Sequence, residues 1–235
     1  MKKGLLIAID GPVASGKGTI AKLLAQKIHG VHLNTGATYR ALAYKCIEND
    51  IEFNDKEKVL RVLGNSDIKL TVNENGNTTV FLDGINISEK IYTPEISNGS
   101  SAVALIPEVP RKMAFMQREI AKKLAGGGKK VIMEGRQIGT EVIPEADIKI
   151  FLSADVTIRA ARRLEQYKIK GIDKSLDDEV LETVRRDEQD KNREFGALPK
   201  NPEDLGYFML DNSLLSEGET LDIILTELKK RGLYE

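Results

Sequence analysis

Residues 5–19 read Leu5-Leu6-Ile7-Ala8-Ile9-Asp10-Gly11-Pro12-Val13-Ala14-Ser15-Gly16-Lys17-Gly18-Thr19, and this stretch decides the fold. Leu5 to Ile9 is an unbroken apolar run, as expected of a central parallel strand covered on both faces. Met1-Lys2-Lys3 before it gives the basic-then-apolar order of a secretion signal. Asp10 ends the run early and no small-residue cleavage site follows, so we read a buried strand. The glycine-rich turn from Gly11 to Thr19 then opens a helix whose apolar face is Ile20, Leu23, Leu24 and Ile28, with Gly30 as its stop. Strand, glycine turn and helix are the context that a Walker A phosphate-binding loop requires. The N–H groups of such a loop point inward at phosphate oxygens, and the helix N-terminus adds partial positive charge. Glycines let the backbone approach closely, and Lys17 sets an ammonium against the β- and γ-phosphates.

Outward from the loop, Val31 to Leu33 reads as a second strand, completing a βαβ unit. Residues 66–90 behave differently. Ile68 to Val72 and Thr79 to Leu82 alternate, with the turn signal Glu74-Asn75-Gly76-Asn77 between them and Asp83-Gly84 before Ile85-Asn86-Ile87. A helical pattern covers 107–125, stopped by Gly126-Gly127-Gly128. Val131 to Met133 and Ile148 to Leu152 are further core strands, helices follow at 155–170 and 176–194, and Tyr207 to Leu210 is a last strand. Ser216 and Glu219 form a capping box for a final helix with Leu221, Ile224, Leu225 and Leu228 on one face. The expected architecture is a parallel α/β sandwich with an antiparallel insertion.

The 235 residues allow one large or two small domains. The 35 basic and 36 acidic residues nearly cancel, which argues against a nucleic-acid partner. No apolar run approaches the ~20 residues of a membrane span. Cys46 is the only cysteine, so no internal disulfide or cysteine zinc cluster forms; it reads as a small apolar residue on a helix. A reducing, cytoplasmic setting fits. His29 and His32 have no carboxylate neighbour in sequence and do not read as a metal site.

Several polar clusters sit at strand ends, which in this kind of sheet face the ligand crevice. Thr35, Thr38, Tyr39 and Arg40 follow the second strand, and Arg40 is placed to clamp a phosphate. Glu134-Gly135-Arg136-Gln137 follows Val131 to Met133; Glu134 is a candidate to hold Mg²⁺ through water, and Arg136 is a second clamp. Arg159, Arg162 and Arg163 share one helix face, as do Arg186, Asp190 and Arg193 on the next helix. Two solvated charged helices would read the same way. A mobile arginine lid accounts for both faces together, since phosphoryl transfer needs many cations around a charge-rich transition state and guanidinium groups grip phosphate bidentately. No guanine-reading Asn-Lys-x-Asp is present; Asp190-Lys191-Asn192 has the wrong order.

The form Gly16-Lys17-Gly18-Thr19 resembles nucleoside-monophosphate kinases more than GTPases. Together with Thr35-Gly36-Ala37-Thr38-Tyr39-Arg40, Thr93 to Asn98, Gly135-Arg136, Ile138-Gly139-Thr140 and Arg186-Asp187 with Asp190, Asn192 and Arg193, it resembles the bacterial cytidylate kinases over essentially the whole chain. The resemblance implies a P-loop three-layer sandwich as one unit: a core of 1–62 and 93–235 with a helical lid near 155–194, and an antiparallel acceptor-domain insert at about 63–92. It implies ATP-dependent phosphorylation of CMP or dCMP by a monomer that uses Mg²⁺. Gly11, Pro12, Val13, Ala14, Ser15, Gly16, Lys17, Gly18 and Thr19 would hold the ATP phosphates, Arg159 and Arg162 would add to them, and Thr19 with Glu134 would meet the metal. Lys17, Arg40, Arg136, Arg186 and Arg193 would carry catalysis. Thr35, Tyr39, Ser101, Arg111, Gln137 and Asp190 would complete the acceptor site, Asp190 at the ribose and Ser101 and Gln137 at the base.

Two base-side positions depart from that family's pattern: Gln137 stands where aspartate is usual, and Pro110 where arginine is usual, with Arg111 one step later. An aspartate accepts from the cytosine N4 amino group and repels the uracil O4. Glutamine carries both a donor and an acceptor and lacks that charge. We therefore expect weaker rejection of UMP, with Arg111 the candidate to replace the missing contact. The rival readings are a kinase for UMP or AMP and a nucleotide-binding regulator without turnover.

Overall fold

The computed structural model describes residues 4–73, 78–169 and 171–235. The chain opens with strand β1 (Leu5–Asp10), helix α1 (Lys17–Ile28), strand β2 (Val31–Asn34) and helices α2 (Gly36–Glu48) and α3 (Lys56–Asn65). Strands β3 (Ile68–Val72), β4 (Thr78–Leu82) and β5 (Ile85–Asn86) follow, then helices α4 (Pro94–Val103) and α5 (Glu108–Gly126). Strand β6 (Lys130–Gly135) leads through a π-helical turn at Ile138–Val142 to strand β7 (Ile148–Ser153). Helices α6 (Val156–Ile169) and α7 (Leu176–Lys191), strand β8 (Tyr207–Asp211) and helix α8 (Glu217–Lys230) complete it.

The main sheet is parallel throughout, in the order β2-β6-β1-β7-β8. The unbroken apolar run of β1 follows from its central place. Ile7 and Ile9 join Ile20, Leu24 and Ile28 of α1 and Ile224 and Leu228 of α8 on one face. Ala8 joins Ala114 and Ala121 of α5 on the other, with Val131 and Met133 of β6. Each large aliphatic side chain buried this way contributes about 1.5–3 kcal/mol. The expected βαβ unit is present with one change: β2 pairs with β6, which lies between it and β1, so the α1 crossover spans a strand.

Strands β3, β4 and β5 form a separate antiparallel sheet in which Ile68 pairs with Leu82 and Val72 with Thr78. The turn expected at residues 74–77 lies outside the described residues. Ile68, Leu70, Val80 and Leu82 face a second core with α2, α3, α4 and α5. Sequence pattern gave bounds to none of α2, α3 and α4, although Cys46 of α2 was read as lying on a helix. Two carried start signals: Asp55 accepts from the Lys58 N–H at 3.1 Å, and Thr93 accepts from the Ile96 N–H at 3.2 Å with Pro94 next. The capping box of α8 is formed, Ser216 Oγ accepting from the Glu219 N–H and Glu219 from the Ser216 N–H.

Candidate active site

The carboxyl end of β1 gives way to the glycine loop at a crowded point. A Cβ on Gly11 would stand 2.0 Å from the Leu152 carbonyl oxygen, so only glycine lets β1 leave the sheet beside β7. Ala14 (φ 57°) and Gly16 (φ 88°) adopt left-handed conformations that curl the loop into the start of α1. Two side chains from elsewhere brace it. Asn212 Nδ2 donates to the Ser15 carbonyl at 3.1 Å, and Arg159 donates to the Val13 carbonyl at 3.1 Å. Lys17 is buried within the loop; its Nζ donates to the Pro12 carbonyl at 2.6 Å and to Ser15 Oγ at 3.3 Å. Burial, then the neighbouring Arg136 charge, pushes its ammonium down to about 7 against the pull of Glu134, Asp190 and Asp10.

Beside the loop lies a cavity of about 280 Å³ lined by Thr35, Tyr39, Arg40, Ser101, Arg136 and Gln137, together with Arg163, Arg186, Asp190 and Arg193. The structure thus brings together side chains from the start of α2, from α4, the segment after β6, α6, α7 and the segment after α7. Asp190 accepts from Arg136 Nε with one oxygen and lies 2.6 Å from Arg193 with the other. Burial raises the Asp190 carboxyl, but Arg136 and Arg193 outweigh it and hold the group below the usual carboxylate range. Arg40 donates to Asn34 Oδ1 at 3.2 Å and lies over the Tyr92 ring, 4.6 Å from its centroid. The buried Nε atoms of Arg40, Arg163 and Arg193 have no hydrogen-bond partner. Buried donors normally find one.

Backbone ties set these groups in register. Thr35 Oγ1 donates to the Glu134 carbonyl at 2.7 Å, and Gln117 donates to Thr38 Oγ1 at 2.9 Å, fixing the start of α2 against β6 and α5. Asp10, fully buried, accepts from the Ile138 N–H (2.8 Å), the Gly139 N–H (2.7 Å) and the Tyr207 hydroxyl (2.7 Å). It therefore pins the turn that follows Arg136 and Gln137 to the residue just before the glycine loop. Burial pushes its carboxyl up, opposed by those hydrogen bonds, and pushes the Tyr207 phenol up as well.

Other expected residues fall elsewhere. Arg159 grips Asp187 with two nitrogens (3.1 and 2.6 Å), joining α6 to α7 at the loop. Arg162 donates to Asn212 Oδ1 and to its carbonyl (3.0 and 2.8 Å). Arg111 is not brought to the cavity: it is exposed, 3.4 Å from Glu194 and over Phe195. Its buried neighbour Pro110 takes the inward position, because one residue turns the helix by about 100°. Thr19 is exposed on the first turn of α1, and Glu134 Oε1 lies 3.9 Å from where a Gly18 Cβ would be. His32 Nε2 is 4.0 Å from Glu134, and burial lowers its basicity. Among the described residues no cluster of three or more His, Cys, Asp or Glu is arranged to hold a metal. Sequence pattern gave no site role to Asp10 or Asn212, and it read Arg163 only as part of the arginine face of the expected lid. The signals available were a carboxylate closing an apolar run and a third arginine on an already basic face; Asn212 had none.

A parallel sheet with a glycine-loop anion cradle at its carboxyl edge, next to a cavity ringed by guanidinium groups, defines a P-loop phosphotransferase acting on a small anionic acceptor. A sequence model of the family described as cytidylate kinase matches residues 7–230. The chain belongs to the cytidylate kinase family. It is 42% identical over 225 residues to a cytidylate kinase of Caldicellulosiruptor bescii, covering 96% of this chain and 95% of that protein. It is 39% identical over 232 residues to a cytidylate kinase of Bacillus subtilis, covering 99% and 100%. A crystal structure of an uncharacterized protein from Eubacterium ventriosum superposes with a TM-score of 0.55 at 14% identity, over 97% of this chain and 99% of that one. At that identity the likeness is of fold alone. No helix among the described residues is long and apolar enough to cross a membrane.

Proposed function

We propose that this chain transfers the γ-phosphoryl group of ATP to CMP and dCMP, giving ADP and CDP or dCDP. An oxygen of the acceptor α-phosphate bonds to the γ-phosphorus as the bond to the β–γ bridging oxygen breaks, and the electron pair leaves with ADP. The acceptor oxygen is already an anion, so no general base is needed. Positioning and charge neutralisation carry the rate.

The observation that supports this most is the set of three buried, unpartnered guanidinium nitrogens on Arg40, Arg163 and Arg193, around one cavity next to Lys17. Leaving a buried donor unpaired costs about 1–3 kcal/mol, and phosphate oxygens would satisfy all three. Lys17 would leave the Pro12 carbonyl for the β- and γ-phosphates. Arg40, Arg136 and Arg193 would take the acceptor phosphate, and Asp190 the ribose hydroxyls. Arg163 and Arg186 would neutralise the group in flight. A metal carried in on ATP needs only one or two protein oxygens. Thr19 at the start of α1 and Glu134 of β6, whose carboxylate lies near Gly18, are hard oxygen donors that fit Mg²⁺ held partly through water, and the ion would screen the triphosphate charge.

Purified protein with ATP and Mg²⁺, screened for ADP release against CMP, dCMP, UMP, AMP and GMP, tests the proposal. CMP and dCMP should give the largest kcat/KM. ADP release that is independent of acceptor, or fastest with a purine monophosphate, would overturn it.

A further inference from the structure

Arg40 reaches the cavity beside the glycine loop from the second turn of α2, and three neighbours hold its guanidinium group. Nη2 donates to Asn34 Oδ1 at 3.2 Å. A Cβ on Gly36 would stand 3.2 Å from Nη1 and 3.5 Å from Nη2, so the group packs on a residue that has no side chain. Arg40 Cζ lies 4.6 Å from the centroid of the Tyr92 ring, well within the roughly 6 Å over which a ring face attracts a cation. Tyr92 is 46% exposed and is not among the residues that line the cavity. Its place is fixed by its chain neighbours. Ile91 before it is fully buried in the core shared with α2, and Thr93 after it caps α4.

The kind of partner matters. Arg136 and Arg193 share the Asp190 carboxylate, and Arg186 lies 2.6 Å from Glu182. The three groups named against Arg40 are neutral. A carboxylate orders a guanidinium but competes with an incoming phosphate for it. An aromatic face orders the planar group and leaves its full charge for the ligand. A long side chain ordered in advance also loses less freedom on binding. Resting on the assignment of Arg40 to the acceptor phosphate, we infer that Tyr92 is a positioning residue whose ring seats the Arg40 guanidinium before the acceptor arrives. It acts through Arg40 and touches no substrate.

Steady-state rates of Tyr92→Leu and Tyr92→Phe test the inference, since the first removes the aromatic face and the second keeps it. Tyr92→Leu should raise KM for CMP roughly three- to tenfold, the scale of one such contact. Its kcat and its KM for ATP should stay within about twofold of wild type, because the contact is made before transfer and away from the glycine loop. Tyr92→Phe should keep KM for CMP within about twofold of wild type. In an Arg40→Ala background, Tyr92→Leu should move KM for CMP less than about twofold further, whereas a general loosening of α4 would raise it in both backgrounds. Equal effects in both backgrounds, a Tyr92→Phe variant as impaired as Tyr92→Leu, or an unmoved KM in Tyr92→Leu overturn the inference while leaving the kinase assignment intact. If Arg40→Ala keeps the wild-type KM for CMP, or the wild-type protein does not phosphorylate CMP, the acceptor assignment is at fault and the inference falls with it.

Discussion

Asp190 holds Arg136 with one carboxylate oxygen and Arg193 with the other, so a single buried anion keeps two guanidinium groups side by side at the cavity beside the glycine loop. Removing the charge while keeping the shape, as in Asp190→Asn, leaves two cations facing each other without compensation. Breaking a buried ion pair from one side typically costs about 3–5 kcal/mol. With about 2–4 °C in Tm for each kcal/mol at this size, Asp190→Asn should melt roughly 6–20 °C lower. Saturating CMP, whose phosphate replaces the missing anion, should recover part of that loss. Calorimetry with and without CMP checks both; a variant that melts like wild type would show that Asp190 does not bear this charge.

Lys17 is buried, and its ammonium is pushed down from 10.5 to about 7. The folded state thus binds fewer protons here than the unfolded state between about pH 7 and 10.5. The destabilising contribution of the group is full below about pH 7 and fades as pH rises through that window. Phosphates favour the charged form, so ATP binding at pH 8.5 should take up a proton. Titration calorimetry in buffers of different ionisation enthalpy measures it, and Lys17→Ala should abolish the uptake. The same variant should lose roughly a hundredfold or more in kcat, the usual cost of deleting one preorganised electrostatic donor, with its circular dichroism unchanged.

Gln137 lacks the charge that an aspartate would set against the uracil O4. Gln137→Asp should therefore raise the CMP/UMP ratio of kcat/KM, by roughly tenfold if one repulsive contact is gained. Steady-state rates with CMP, dCMP and UMP decide it, and an unchanged ratio would mean that charge at this position does not govern base choice.

Two glycines should respond in opposite directions to alanine. At Gly11 the new methyl group meets the Leu152 carbonyl at 2.0 Å, and neither backbone can yield without moving β1 or β7. Gly11→Ala should cost about 3 kcal/mol or more and misplace the phosphate loop. At Gly64 in α3 nothing lies within 4 Å. Gly64→Ala should stabilise by about 0.5–1 kcal/mol through the unfolded chain and helix propensity. Thermal melts of both variants give the comparison.

The glycine loop, the central strand and the antiparallel insert were legible without coordinates because their signals are local. An apolar run ended by Asp10 and a glycine turn that only a helix can follow need no distant partner. Alternation at Ile68 to Val72 and Thr79 to Leu82 likewise marks one buried face. The bounds of helices α2 and α4 were not legible. Their apolar faces are shared among small residues such as Ala37, Ala41 and Gly99, which give weak periodicity and become core only against β3, β4 and α5.

What tertiary structure alone decided was which charges meet. Arg159, Arg162 and Arg163 lie on one face of α6 and look alike in sequence, yet of the three only Arg163 lines the cavity. Arg159 is taken by Asp187 and Arg162 by Asn212. Arg111 and Pro110 differ by a single step, and that step turns one out and the other in. Local pattern reports the direction of a side chain only within its own helix or strand. Its partner comes from how α6, α7 and β8 pack around the carboxyl end of the sheet.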